Sequence, residues 1–95
     1  MPAYVVVDIE VEDVARYTDY RGQAPASIAA HGGRYLARGG RTEVFEGTWK
    51  PSRLVILEFP TLEQARTWLE SPEYAEARAL RHATARTNMV AIEGI

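Results

Sequence analysis

The chain contains no cysteine. That excludes disulfides, thiolate metal ligands and a cysteine nucleophile, and it fits a reducing, cytoplasmic compartment. Histidine is scarce, with only His31 and His82. No H-x-x-x-H or comparable spacing occurs, whereas a tight metal site needs three or four ligands, so neither a metal nor a cofactor is expected. Long apolar runs are missing too. The opening stretch "MPAYVVVDIEVEDV" has acids where a secretory signal carries basic residues, and its apolar run from Ala3 to Val7 is only as long as a strand. No export signal and no transmembrane span is expected. There is no excess of positive charge: eleven basic residues face thirteen acidic ones, for a net charge of -2. The basic residues are scattered, so no nucleic-acid or acidic membrane surface is expected as partner. No internal repeat is visible.

What is present is a soluble globular composition, 46% hydrophobic and 25% charged, over 95 residues. That length supports one domain, residues 1–95, with a single core. "AYVVVDI" (Ala3 to Ile9) is rich in β-branched residues and reads as a first strand. Asp13 can cap a helix carrying Val14, Tyr17, Ala24 and Ile28 on one face, with Pro25 as a kink or restart and "HGGRY" as the stop at Gly32 or Gly33. A second strand begins near Arg34. "RLVILEF" (Arg53 to Phe59) is the clearest strand. A Thr61 to Gln64 capping box then opens a helix bearing Leu62, Ala65, Trp68 and Leu69, which "SPEY" restarts through Ser71 and Pro72. "NMVAIE" (Asn88 to Glu93) supplies the last strand.

The order βαββαβ is that of the ferredoxin-like plan, an α+β fold with two helices on one face of a four-stranded antiparallel sheet. Alternation sends Val5, Val7, Ile9, Val55, Leu57, Phe59, Val90 and Ile92 toward the helices. It leaves Tyr4, Val6, Asp8, Leu54, Ile56, Glu58, Met89, Ala91 and Glu93 on the other face. That second face is too apolar to lie open to water, and no residues remain for a third layer. The economical cover is a second copy, making a homodimer through the sheet face with a barrel-like interior.

"GGRYLARGG", "EGTWKPSRLVILEFPTLEQARTWLESPEY" and "ALRHA" resemble the family of domain of unknown function 1330, over nearly the whole chain. The resemblance implies the dimeric α+β barrel superfamily and the same dimer. It implies no single activity, because that superfamily includes cofactor-free monooxygenases, haem-degrading enzymes, isomerases and ligand sensors. The family residues standing here include Arg38, Gly39, Gly40, Trp49, Arg53, Trp68, Ser71, Tyr74 and Arg81, and none comes with a role. Asp8 is not the amide that haem-degrading relatives carry.

In this topology one rim should gather Asp8, Arg38, Trp49 and Arg53, with Tyr74, Arg81 and His82 approaching from the second helix. Such a polar ring around an apolar hollow between sheet and second helix suits an unknown small molecule. Asp8 is the candidate base, against the alternative of a buried ion pair with Arg38 or Arg53. Arg38, Trp49, Arg53, Tyr74 and Arg81 are candidate ligand-binding residues, and His82 is a weaker catalytic candidate. Trp68 reads as core, and Trp49 as a lid or a seat on the partner subunit. Gly39 and Gly40 read as a bulge or kink rather than a phosphate cradle, since no helix follows them. Whether residues 42–46 continue the strand stays open. RNA binding is set aside because the central strands offer no stacking aromatics. The two functions in contention are a cofactor-free enzyme or ligand-binding relative, and a non-catalytic sensor or interaction module.

Overall fold

The computed structural model describes residues 1–95 and contains seven elements: β1 (Ala3–Val11), α1 (Val14–Ala30), β2 (Arg34–Arg38), β3 (Leu54–Phe59), α2 (Leu62–Glu70), α3 (Pro72–Thr84) and β4 (Ala85–Glu93). The strands form one sheet in the order β2-β3-β1-β4, with every neighbouring pair antiparallel. All helices lie on one side of it, so the α+β ferredoxin-like layering is as the sequence indicates.

The helix count differs, three rather than two. Ser71 is the reason. It holds an extended backbone (φ -72°, ψ 152°) because Pro72 follows it, and a residue before proline is pushed out of the helical region. Pro72 itself suits the first turn of α3, where its missing N–H loses nothing. The Ser71 hydroxyl serves both sides of the break: its Oγ donates to the Trp68 carbonyl at 2.8 Å and accepts from the Tyr74 amide at 3.2 Å. The other caps form as read, with Asp13 accepting from the Arg16 amide and Thr61 from the Gln64 amide. Pro25 is accommodated within α1.

The core lies between sheet and helices. Val5, Val7, Ile9, Val55, Leu57 and Phe59 are buried there against Tyr17, Ala24, Ile28, Ala65, Trp68 and Tyr74. The phase of β4 is the opposite of that expected. Val7 pairs with Met89 and Val5 with Ala91, so Thr87, Met89 and Ala91 share the helix side, while Val90 and Ile92 pair with Val6 and Tyr4 on the open face. The strand begins at Ala85 directly from α3, and its pairing with β1 sets the register. A one-residue change of phase reverses every side chain. Val90 and Ile92 are consequently 64% and 61% exposed. The open face is thus more apolar than alternation alone suggested. The total accessible surface is 6185 Å², against about 5,500 Å² for a typical monomer of this mass. The bared sheet face and the exposed stretch 40–50 both contribute to that excess.

The bulge in β2 lies at Leu36, between Tyr35 and Ala37, and not at the glycines. Gly39 instead ends the strand with φ +67°, a conformation that favours glycine. From Gly40 to Arg53 the chain has no helix or strand, which resolves residues 42–46 as loop. Phe45 projects from this loop, 88% exposed. No helix is long and apolar enough to cross a membrane.

Candidate functional site

The expected rim divides into two groups on opposite faces of the sheet. Asp8 faces the open side, opposite Leu54 and Asn88. Its Oδ2 accepts from Trp49 Nε1 at 2.9 Å and its Oδ1 from the Ser52 amide at 3.0 Å. Both oxygens therefore hold the loop, and neither meets Arg38 or Arg53. The ion pair weighed for Asp8 is absent, because alternation sends those arginines to the helix side.

On that side the backbone brings phenols and guanidiniums together. Tyr17 and Tyr20 are three residues apart on one face of α1, the spacing at which helical side chains become neighbours, and their rings stand 5.3 Å apart. Tyr35 and Arg38 reach the same side from β2, where the bulge restores the alternation. The Arg38 guanidinium lies 4.5 Å from the centre of the Tyr35 ring and donates through Nη2 to the Arg21 carbonyl at 2.7 Å. The Arg53 guanidinium lies 5.9 Å from the centre of Tyr17, and its Nε is buried without a partner. Gly39 makes room for it, since a Cβ there would overlap the Arg53 guanidinium. Burial pushes the Tyr35 phenol above its ordinary pKa, against the pull of Arg38.

Beneath this layer Tyr20 and Tyr74 share a buried hydrogen bond of 2.6 Å between hydroxyls. Burial first, and then Tyr74, pushes the Tyr20 phenol strongly up, so it stays protonated. Arg81, only 3% exposed, donates from Nε to the Tyr74 hydroxyl at 3.2 Å. Its Nη1 donates to Thr87 Oγ1, and its Nη2 lies 3.4 Å from His82 Nε2. Trp68 is core, as expected, with its Nε1 donating to Ser27 Oγ at 3.2 Å. His31 stands apart, its Nε2 3.6 Å from Glu73.

Two cavities flank Trp68 and Met89. The first, between α1 and the sheet, is lined by Tyr17, Tyr20, Tyr35, Arg38 and Arg53 among others and holds about 20 Å³, room for a single water. The second opens between α2 and the β1–β4 edge and holds about 210 Å³. Val5, Leu62, Ala65, Leu69 and Ala91 wall it, and Arg66 is its one charged residue. Trp68 and Met89 border both, and Met89 is the unbranched, flexible one of the two.

Of the residues named from sequence, Arg38 and Arg53 thus meet at one cavity, Tyr74 and Arg81 join in one network, and Asp8 and Trp49 form a separate contact. Tyr17, Tyr20, Tyr35 and Met89, which line the same cavity as Arg38 and Arg53, were not among the site residues named from sequence. The i,i+3 tyrosine pair was the available signal for the first two.

A family model described as "Domain of unknown function (DUF1330)" matches residues 2–95. No curated protein matches the chain. Among solved structures, a protein of unknown function from Rhodopseudomonas palustris superposes with a TM-score of 0.81 at 15% identity, covering 99% of this chain and 82% of that one. SnoaB, a cofactor-independent oxygenase from Streptomyces nogalater, gives 0.69 at 11% identity over 99% and 93%. A dimeric protein of unknown function with a ferredoxin-like fold from Bacteroides fragilis gives 0.62 at 16% over 98% and 96%.

Proposed function

The chain belongs to the domain of unknown function 1330 family, and from that premise we propose that it is a homodimeric protein binding a small molecule between its sheet and helices, as a cofactor-free enzyme or its ligand-binding relative. One observation carries the reading: an apolar cleft of about 210 Å³ shares the Trp68–Met89 border with a cavity edged by tyrosines and arginines. A cavity of about 150 Å³ accepts benzene. The cleft therefore suits one substituted ring, whose hydroxyl or carboxylate would reach the phenols and guanidiniums once Met89 turns aside.

Arg53 is the natural first contact for that polar group, since its buried Nε lacks an acceptor and a bound oxygen would supply one. Arg38 would complete a two-arginine clamp, and the Tyr20–Tyr74 pair, held by Arg81, would form its floor. A developing enolate or phenolate would be stabilised there by fixed donors. Asp8 takes a different part in this reading. Its carboxylate anchors the loop through Trp49 and Ser52, so it shapes the protein rather than removing a proton from the ligand. If the protein only binds, the same residues serve as a sensor's pocket, and bound ligand recovered unchanged would favour that alternative. The open sheet face, with Val90 and Ile92 bared to water, would be covered by a second copy. The likeness to a cofactor-independent oxygenase and to a dimeric protein is in keeping with both parts.

The test is thermal unfolding with a panel of uncharged single-ring phenols, alongside light scattering for mass. A fitting ligand should raise the midpoint of the native chain and not of Ala65→Leu, in which the cleft is filled. A monomeric mass at micromolar concentration would remove the dimer. No stabilisation by any ring compound, or equal stabilisation of the filled variant, would remove the cleft.

A further inference from the structure

Arg81 sits at the end of α3 with almost no exposure, yet no carboxylate lies within 4 Å of it. A buried charge normally has a counter-charge. Its three hydrogen bonds go to neutral groups, Tyr74, Thr87 and His82, leaving two of a guanidinium's five N–H without a protein acceptor. Arg78, one turn earlier, also lacks an acid and spends only Nη1, on the Leu69 carbonyl at 2.9 Å. The negative end of α3 supplies about half a charge, too little for two guanidiniums. Beside them an open groove of about 530 Å³ runs between α3, the end of α2 and β4. Arg78, Arg81, His82 and Thr87 form its polar side, Leu69 and Met89 face them, and no acid lines it.

We infer that this groove is a second binding site, for the oxyanion of a small organic acid whose apolar body rests on Leu69 and Met89. The anion would accept from the spare N–H groups of Arg78 and Arg81 and from the Thr87 side of the groove. Its charge would supply what Arg81 lacks. His82 reports the same deficit: its pKa is lowered by loss of solvation, and then by the positive charges of Arg81 and Arg78. An anion seated between them would reverse the latter two effects and draw a proton onto His82. The site is distinct from the ligand cleft: Leu69 and Met89 line both, but Arg66 is the cleft's charged residue and Arg78, Arg81 and His82 are the groove's.

The experiment follows the two histidine rings by NMR while benzoate, inorganic phosphate or benzyl alcohol is added. His31, beyond the far end of the sheet, is the internal control. Benzoate should shift His82 saturably at millimolar concentration and raise its pKa, phosphate should do so more weakly, and benzyl alcohol should not. Arg78→Gln should weaken benzoate binding roughly tenfold, the scale of one charge-assisted contact. Ala79→Glu, which adds an acid to the exposed groove wall, should abolish it without lowering the unfolding midpoint. Ala65→Leu should leave it unchanged, which separates this site from the cleft. The inference is overturned if no anion moves His82 saturably, if benzyl alcohol binds as well as benzoate, if His31 moves in parallel, or if Ala79→Glu still binds.

Discussion

Replacing Tyr74 by phenylalanine should cost much more stability than replacing Tyr20, although the two hydroxyls share one hydrogen bond. The geometry sets the difference. Tyr20 Oη has a single protein partner, Tyr74 Oη, at 2.6 Å. Tyr20→Phe removes that bond but leaves the Tyr74 hydroxyl with the Arg81 Nε–H, so the expected loss is about 1 kcal/mol, the net worth of one neutral bond. Tyr74→Phe removes the same bond, strands the Tyr20 hydroxyl, and leaves the Nε–H of a buried guanidinium without an acceptor. A bond to a charged group is worth about 1.5–3 kcal/mol and a stranded buried hydroxyl about 1–3 kcal/mol. Not all of this adds, so about 3 kcal/mol is expected. Once Tyr74 is gone the Tyr20 hydroxyl has nothing to bond, so the double variant should be no less stable than Tyr74→Phe alone. Chemical denaturation at fixed protomer concentration, with unchanged m-value, is the assay. A Tyr74→Phe loss equal to or below that of Tyr20→Phe, or additive losses in the double variant, would refute the network.

Three further outcomes follow from other parts of the molecule. Asp8→Ala should abolish hydrogen-exchange protection at the Ser52 amide, which Asp8 accepts, while the Ile9 amide stays protected by the Arg53 carbonyl. Ser71→Ala should cost about 1 kcal/mol in denaturation, because one hydroxyl caps the end of α2 and the start of α3. For His82 the folded pKa is lower than the unfolded value of about 6.5, so the unfolded chain binds more protons in that range and stability rises with pH. Its contribution is complete above the unfolded pKa and is lost as pH falls. His82→Gln should therefore flatten the decline in melting temperature between neutral and mildly acidic pH at low salt. An unchanged decline would contradict it.

Much of the fold was legible because its local signals agree. Asp13, Thr61 and Ser71 stand directly before helical patterns and cap them, and the strands β1 and β3 alternate cleanly. The phase of β4 was not legible, because its larger apolar residues, Val90 and Ile92, serve the open face while Met89 and Ala91 serve the core side. Hydrophobicity ranks the two sets in the wrong order, because the larger apolar side chains stand on the exposed face. The gathering of candidate residues at one rim failed for a related reason. Chain topology brings Asp8, Arg38 and Arg53 to one end of the sheet, but the pleat and the Leu36 bulge decide the face, and the bulge has no sequence mark. Arg38, Arg53, Tyr74 and Arg81 could be named from sequence. Their grouping with Tyr17, Tyr20 and Tyr35 depends on distances that only the packed helices fix.

The central claim, that a ring-sized ligand enters between sheet and helices past Met89, is tested most directly at the Met89 ε-methyl. Only two methionines are present, so Met1 provides the reference signal. Titrating phenol into methyl-labelled protein should shift Met89 saturably and leave Met1 unmoved, with the response lost in Ala65→Leu. A Met89 signal that stays still up to the solubility of phenol, or one that moves equally in Ala65→Leu, would contradict the claim.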